Sequence, residues 1–200
     1  MMISSVDEAV DILKQGELLI FPTDTVYGLG CDASSEEAVQ QVFDITNRPL
    51  GKWLIILCSS LEMIERYAEI RSEAEKTIIE EAMPGSVTLI LDSKHELPSL
   101  LEQANGTIGV RIPDHDLALS IIEWLDCPLA TKSANLSGLL PPTDVDEIDE
   151  FFVEQWVAIL DGGEVDVQVP STIVRISEEW HLQILREGAV SEEELRDLIE

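Results

Sequence analysis

Basic residues are scarce in this sequence. Its 200 residues include 12 lysines and arginines against 40 aspartates and glutamates, which gives a formal net charge of −28. A surface with so strong a negative field repels the phosphates of nucleic acids. We therefore expect no direct binding of tRNA or DNA, and we expect the few bases to have a specific use.

Cysteines are also few, and none of them forms a C-x-x-C pair. Cys31, Cys58 and Cys127 are widely spaced and lie in apolar stretches. This pattern predicts buried thiols and excludes both a disulfide framework and a zinc motif. The three histidines lie in no recognisable nucleophile motif. We predict no metal site built from protein side chains.

Long apolar runs are missing as well. No uninterrupted stretch reaches the roughly 18 residues that a membrane helix needs. The N-terminus lacks the basic segment and following apolar segment of a secretory signal. We therefore expect a cytoplasmic protein with no membrane contact.

The sequence does contain enough apolar residues for a core. Hydrophobic residues make up 45% of the composition, and the length suits a single domain spanning 1–200. Helix-like and strand-like segments alternate, without a G-x-G-x-x-G or a G-x-x-x-x-G-K-[ST] motif. The pattern predicts an α/β fold with a mixed, twisted sheet. Predicted helices occupy 6–15, 34–45, 61–83 (in two pieces), 116–125, 145–152 and a segment after 191, and predicted strands occupy 17–21, 53–58, 86–91, 107–112, 128–131, 157–160, 172–176 and 182–185.

Five of the twelve bases share one sequence context, because each lies in a Gly-, Pro-, Ser- or Thr-rich segment at the end of an apolar run. These bases are Arg48, Lys52, Arg111, Lys132 and Arg186. Their placement indicates a local anion site inside an acidic shell. The alternative is that they form scattered surface ion pairs, which are common and contribute little stability.

Four sets of residues concentrate groups that bind anions or polar ligands. Residues 22–30 (PTDTVYGLG) predict a loop where the backbone can approach a ligand. Residues 47–52 place two cations four positions apart, and residues 131–138 follow a strand with Ser, Asn and Gly. Residues 170–172 and 185–189 place hydroxyl and guanidinium groups at strand ends. Each set alone is also consistent with a turn or a basic helix C-terminus.

Taken together and in order, these segments resemble a known family. Seven stretches are similar to motifs of the YrdC-like threonylcarbamoyl-AMP synthases, over about residues 12–190: FPTDTVYGLGCDA, NRPLGKWLIIL, MPGSVTLIL, IGVRIPDH, SANLSG, PSTIV and ILREGAV. The resemblance implies a YrdC-like twisted mixed sheet flanked by helices, with a central concave pocket. It also implies the reaction of L-threonine, bicarbonate or CO2, and ATP to threonylcarbamoyl-AMP and pyrophosphate, which serves the t6A modification of tRNA. Such a transfer relies on positioning and charge, and needs no nucleophilic side chain.

The resemblance also implies roles for individual residues. It assigns L-threonine to Thr25, Arg111, Thr131 and Ser171, and it assigns ATP to Arg48, Lys52, Thr107, Ser133, Pro141 and Arg186. Of these, Arg48 and Lys52, together with Lys132, are expected to act by positioning and charge. Mg²⁺ is expected to accompany ATP, held largely by phosphate oxygens and water. The implied partner for the product is the t6A transferase complex, through a transient contact.

Three positions depart from the family pattern. Thr46 stands where a lysine is usual, Lys132 where Ser or Thr is usual, and Glu187 where a proline is usual. Our hypothesis is that Lys132 supplies the missing ammonium from the opposite wall of the site. The alternative is that Lys132 points to solvent, and that the chain is a catalytically weakened homologue that binds nucleotide or RNA.

A further alternative is a carbamoyl-transfer module, since the same fold occurs inside larger hydrogenase-maturation proteins. The zinc-finger and acylphosphatase regions that accompany it there have no counterpart in this sequence. We therefore favour the short form of the synthase.

Overall fold

The computed structural model describes residues 1–49, 51–177 and 181–199. Within these residues a single sheet of eleven strands runs through the molecule. The strands are β1 Met2–Ile3, β2 Leu19–Phe21, β3 Gly28–Asp32, β4 Ile55–Leu57, β5 Ala68–Glu69, β6 Val87–Ser93, β7 Thr107–Arg111, β8 Leu129–Ser133, β9 Ala158–Leu160, β10 Thr172–Ile176 and β11 Leu182–Arg186.

Helices flank this sheet, and most begin at a serine or aspartate that caps them. The Ser72 hydroxyl, for example, accepts a hydrogen bond from Glu75 N, while the Glu75 carboxylate accepts one from Ser72 N, which forms a capping box. The helices are α1 Val6–Lys14, α2 Glu36–Ile45, α3 Leu61–Tyr67, α4 Glu73–Ala82, α5 Asp116–Leu125, α6 Glu150–Glu154 and α7 Glu192–Ile199.

The sheet mixes parallel and antiparallel pairs. Its order is β1-β9-β2-β3-β8-β4-β7-β6-β10-β11, with β5 paired to β6 outside this path. Neighbours β2/β9, β4/β7 and β6/β10 are parallel, whereas β3/β8, β4/β8 and β6/β7 are antiparallel. The predicted α/β class with a mixed, twisted sheet is therefore confirmed.

One core fills the space between the sheet and its helices. The inner strand Leu19–Phe21 is apolar over its whole length, and all three of its side chains are fully buried. Helix α1 packs against α5, and α4 packs against α7 and β6. Amphipathic helices with apolar residues three or four positions apart bury one face in this way.

The prediction that residues 22–30 form a loop was wrong from Gly28 onwards. Gly28–Asp32 is strand β3, which lies between β2 and β8 in the sheet. A Cβ on Gly30 would lie 3.0 Å from Phe21 and 3.2 Å from the Ala130 carbonyl oxygen. Glycine therefore permits close packing between strands at this position. In the sequence alone, a glycine needed for packing looks the same as a glycine needed for a turn.

Two further predictions needed correction in their details. Residues 61–83 form two helices, as expected, but strand β5 lies between them. Residues 145–152 do not form one helix: Val145–Glu147 is a single 3₁₀ turn, and α6 starts only at Glu150. Asp144 and Asp149 each cap one of these pieces, which divides the segment.

Candidate functional site

A cavity of about 320 Å³ lies where several strands bring their polar ends together. Its size is at the lower end of the range for small-molecule sites. We call it the central cavity, and it is lined by Thr23, Thr25, Val26, Gly28, Arg48, Gly51, Lys52, Trp53, Ile55, Leu57, Arg111, Thr131, Lys132, Ser133, Pro170, Ser171, Ile173 and Arg186.

The five bases singled out in the sequence meet in this cavity. They come from the segment after α2 and from the ends of β7, β8 and β11, so chain positions more than a hundred residues apart converge. Among the described residues, the lining includes no carboxylate and no histidine. In a chain with a net charge of −28, the central cavity is thus a concentrated positive site, which is the arrangement that binds an anion.

Arg111 is fixed at the base of the central cavity by three acceptors. Its Nη2 lies 2.5 Å from Asp24 Oδ1, its Nη1 donates to Thr25 Oγ1, and its Nε donates to the Gly85 carbonyl oxygen. Ser86 Oγ donates to the other oxygen of Asp24. Burial lowers the pKa of Arg111, while the Asp24 carboxylate raises it. The three hydrogen bonds therefore hold the Arg111 guanidinium in place, and the Asp24 carboxylate compensates its charge.

Arg48 and Arg186 are held by main-chain oxygens. Arg48 donates to the carbonyl oxygens of Lys52 and Trp53, and Arg186 donates to that of Ser171. No carboxylate in the described part of the chain lies within ion-pair distance of either guanidinium. Burial lowers the pKa of both arginines, and neighbouring positive charge lowers it further. Their charge is thus left available to a ligand.

Lys132 lines the central cavity and is 9% exposed. Its Nζ donates to the carbonyl oxygens of Ser133 and Asn135, at 2.6 Å each. Burial lowers its pKa to about 7, and the positive charge of Arg48 adds to this effect. The interpretation that Lys132 points to solvent is therefore wrong.

Hydroxyl groups line the same cavity. Thr25 and Thr23 share a hydrogen bond of 3.0 Å, and Thr131 donates to the Leu29 carbonyl oxygen. Ser171 bonds to Thr88 at 2.8 Å, and its Oγ accepts from Arg186. Because these hydroxyls have protein partners, their orientation is set before a ligand arrives.

The sequence interpretation missed the apolar wall of the central cavity. This wall consists of Trp53, Ile55 and Leu57, and Ile173 of β10 also lines the cavity. These residues were predicted as part of a buried strand. Trp53, Ile55 and Leu57 are spaced two positions apart, which places their side chains on one face of an extended chain. This spacing was the sequence signal that could have predicted a shared apolar wall. An apolar wall beside several cations suits a ligand with both a flat apolar part and a charged part.

Three residues of interest do not line the central cavity. Thr107 lies at the opposite end of β7 from Arg111 and donates to Asn105 Oδ1. Pro141 lies beyond the lining residues, in the segment that follows β8. Thr46 is fully buried and donates back to the Val42 carbonyl oxygen of its own helix. Of the ten residues to which the resemblance gave a ligand, the two that lie outside are therefore Thr107 and Pro141.

The described residues do not fit a resident metal ion. They contain no group of three or more Asp, Glu, His or Cys side chains that could hold one. Asp24, the carboxylate beside the cavity, is already engaged by Arg111 and Ser86. No helix in the described ranges is long and apolar enough to span a membrane.

Comparison with known proteins places the chain among relatives of one kind. The family model Sua5_yciO_yrdC, described as "Telomere recombination", matches residues 11–188. Proteins called threonylcarbamoyl-AMP synthase include one from Pyrococcus abyssi (36% identity; 96% of this chain, 56% of the relative) and one from Vibrio parahaemolyticus (31% identity; 91% and 98%). The chain spans just over half the length of the P. abyssi and Bacillus subtilis relatives.

Solved structures agree with the sequence comparison. The crystal structure of P. abyssi Sua5 complexed with L-threonine superposes with a TM-score of 0.94 at 34% identity, covering 100% of this chain and 61% of that one. Escherichia coli YciO superposes with a TM-score of 0.86 at 26% identity, covering 98% and 97%. The family model matches residues 11–188, and the superposition on P. abyssi Sua5 covers the whole of this chain. This protein belongs to the Sua5/YciO/YrdC family.

Proposed function

We propose that this chain is an L-threonylcarbamoyladenylate synthase, which forms threonylcarbamoyl-AMP and pyrophosphate from L-threonine, bicarbonate or CO2, and ATP. The observation that carries the proposal is the central cavity, where five bases and five hydroxyl residues meet with no carboxylate among the described lining residues. Relatives that bear this name, and a related structure complexed with L-threonine, support it. One domain spanning residues 1–200 is part of the same proposal.

The threonine end of the site would be formed around Arg111. A guanidinium has five N–H donors, and three of those on Arg111 are used by Asp24, Thr25 and Gly85. The two remaining donors, one on each Nη, can bind the threonine carboxylate in a bidentate pair. The hydroxyls of Thr25, Thr131 and Ser171 would bind the rest of the amino acid.

The ATP end of the site would use Arg48, Lys52, Arg186 and Ser133. The two arginines have no carboxylate partner within the described ranges, so a triphosphate can use their charge without breaking an ion pair. The apolar wall formed by Trp53, Ile55 and Leu57 would cover an apolar face of the nucleotide. Pro141 would contact ATP only at the outer margin of the site. Thr107, at the opposite end of β7 from Arg111, has no role in this proposal.

The reaction would proceed by positioning. The threonine amine takes up bicarbonate or CO2 to become a carbamate, and a carbamate oxygen attacks the α-phosphorus. The bond between the α-phosphorus and the bridging oxygen breaks, and pyrophosphate leaves. Cations that neutralise the phosphates are the main protein contribution to such transfers. Mg²⁺ would enter as part of the MgATP substrate, because the described residues supply no cage for it.

The product would pass to the t6A transferase complex in the cytoplasm. A transient contact would suffice, since the adenylate has only to reach a second active site. The net charge of −28 disfavours a stable complex of this chain with tRNA itself.

A direct assay tests the proposal. The chain is incubated with ATP, bicarbonate and labelled L-threonine, and both threonylcarbamoyl-AMP and pyrophosphate are measured. We expect both products, and we expect the pyrophosphate signal to vanish when threonine is omitted. Arg111→Met is the matched variant and should raise the KM for threonine more than the KM for ATP.

Two results would reject the synthase proposal. One is ATP binding without any threonine-dependent pyrophosphate. The other is tRNA retardation in a low-salt gel in the absence of product formation. Either result would favour a homologue that binds nucleotide or RNA.

A further inference from the structure

The proposed reaction requires that threonine lose a proton from its amino group, and the inference drawn from this requirement rests on the proposed function. The α-amino group of a free amino acid titrates well above neutral pH, so threonine reaches the site mostly as an ammonium. An ammonium has no lone pair with which to attack the carbon of bicarbonate or CO2. Threonine has to lose a proton before the carbamate can form, and a basic group in the central cavity would allow this loss while threonine is bound.

Few residues of the central cavity can accept a proton. No Asp, Glu, His, Cys or Tyr lines it in the part of the chain that the structure describes. Arginines do not lose their protons in proteins, and Ser and Thr hydroxyls are weak bases. The remaining groups are the amines of Lys52, which is exposed, and of Lys132, which is buried.

The hydrogen bonds of Lys132 suit a neutral amine. A neutral amine has two N–H groups and one lone pair. The carbonyl oxygens of Ser133 and Asn135 use two N–H donors, so the lone pair of a neutral amine is left for a third partner. An ammonium would instead have one N–H without a protein acceptor among the described residues.

The charges around Lys132 also disfavour an ammonium. Burial is the main cause that lowers the pKa of Lys132, and the positive charge of Arg48 lowers it further. Lys52, Arg111 and Arg186 line the same cavity. On the neighbouring strands, the titratable Cys31 and Asp32 lie at the far end of β3, paired with Ala130 and Leu129, and Cys58 follows the last residue of β4. The pKa of Lys132 falls to about 7.

We propose that Lys132 is a catalytic residue that accepts the proton from the ammonium group of the bound threonine. One N–H bond of threonine breaks, and one forms on Nζ of Lys132, so the charge moves from the substrate to the enzyme. The free amine then forms an N–C bond with bicarbonate, and water leaves. The new Lys132 ammonium stands among the groups that face the triphosphate, and it returns its proton to solvent after the products depart.

This step gives a physical reason for the departure at position 132. A hydroxyl residue there, as the family pattern has, could accept a hydrogen bond but could not hold the proton. It also links the two substrates, since the cation that Lys132 gains would strengthen the site for the nucleotide only after threonine has become an amine.

The test compares pH–rate profiles of wild type, Lys132→Arg and Lys132→Met, with product measured at saturating ATP. In wild type we expect kcat/KM for threonine to rise as pH increases through about 7 and then level off. Lys132→Arg keeps the positive charge but cannot act as a base, so we expect a loss of about 100-fold at neutral pH. Lys132→Met should show a similar loss that shrinks above about pH 9, where a growing fraction of the threonine in solution is an amine.

Lys52→Arg is the matched control, because it makes the same replacement at the exposed lysine of the same cavity. Because Lys52 belongs to the proposed ATP site, we expect the absolute rate to change but the pH dependence of kcat/KM for threonine to keep its wild-type shape. ATP affinity, measured calorimetrically without threonine, should stay within about threefold of wild type in Lys132→Met and should be equal or tighter in Lys132→Arg, which carries a permanent positive charge. ATP binding by each variant shows that it is folded.

The outcomes separate this inference from the function on which it rests. If wild type makes product but Lys132→Arg keeps its rate and its pH profile, then Lys132 acts by charge alone and the inference is wrong. If wild type makes no product at any pH, the proposed function and the inference both fail.

Discussion

The Asp24 carboxylate pairs with the Arg111 guanidinium at 2.5 Å, and the two side chains are only 9% and 4% exposed. The pair joins the loop after β2 to the end of β7. Removing one member leaves a buried charge without its partner, which costs about 3 kcal/mol or more. We expect Asp24→Ala to lower the free energy of unfolding by about that amount, as measured by urea denaturation.

The double variant Asp24→Ala/Arg111→Met is the control for this prediction. It removes both charges together, so we expect it to be more stable than Asp24→Ala alone. An equal or lower stability of the double variant would show that the pair is not the source of the loss.

Gly28 lies where an added methyl group would meet a proposed threonine contact. A Cβ there would be 3.0 Å from Thr131 Oγ1 and 3.5 Å from Phe21. We expect Gly28→Ala to displace the hydroxyl by a few tenths of an ångström and to raise the KM for threonine about tenfold. Gly51→Ala is the control, because a Cβ at Gly51 has no heavy atom within 4 Å. Steady-state kinetics on both variants would check this, and equal KM values would contradict it.

The lowered pKa of Lys132 predicts how stability depends on pH. In the unfolded chain a lysine has a pKa of about 10.4, whereas the folded value is about 7. Between these values the unfolded state binds a proton that the folded state lacks, so stability increases with pH in this window. Below about pH 7 both states are protonated and the destabilisation is complete.

Lys132→Met should therefore flatten the change of unfolding free energy between about pH 7 and pH 10. The slope is the diagnostic quantity, because the substitution also removes hydrogen bonds to Ser133 and Asn135. Urea denaturation at a series of pH values would measure it. An unchanged slope would mean that Lys132 is not the titrating group.

The excess of acidic residues predicts a dependence on salt. Five of the twelve bases are gathered in the central cavity, so the rest of the chain carries forty acids against seven bases. Screening lengths fall from about 30 Å at 0.01 M salt to about 8 Å at 0.15 M. We expect the melting temperature to rise over this range as repulsion weakens. An equal osmolarity of sucrose should give a smaller rise, and no difference between the two would contradict the electrostatic explanation.

Much of the fold was predictable because local signals agreed with it. Helix α5 was predicted at its observed bounds, and the strand at 172–176 likewise, since apolar periodicity and breakers coincide there. Strand β3 was missed because Gly28 and Gly30 indicate a turn when read locally. Their packing against Phe21, Thr131 and Ala130 belongs to the neighbouring strands, which the local sequence does not contain.

The candidate site was predictable where its residues were rare. Cations stood out in an acidic chain, and all five lie in one cavity. Thr107 and Arg111 belong to the same strand, yet only Arg111 reaches the cavity. A motif identifies a segment but does not say which end of a strand faces a ligand. Trp53 was overlooked for the opposite reason, since an aromatic residue before an apolar strand resembles core.

Composition and motif order by themselves determined that this chain is an acidic α/β protein, with its few useful bases confined to short polar segments. Only the tertiary structure decided that Asp24 compensates Arg111 while Arg48 and Arg186 stay without a carboxylate in the part of the chain that is described, and that Lys132 is buried. Which charges are paired depends on distances between residues far apart in sequence, and those distances exist only after the strands have taken their places in the sheet.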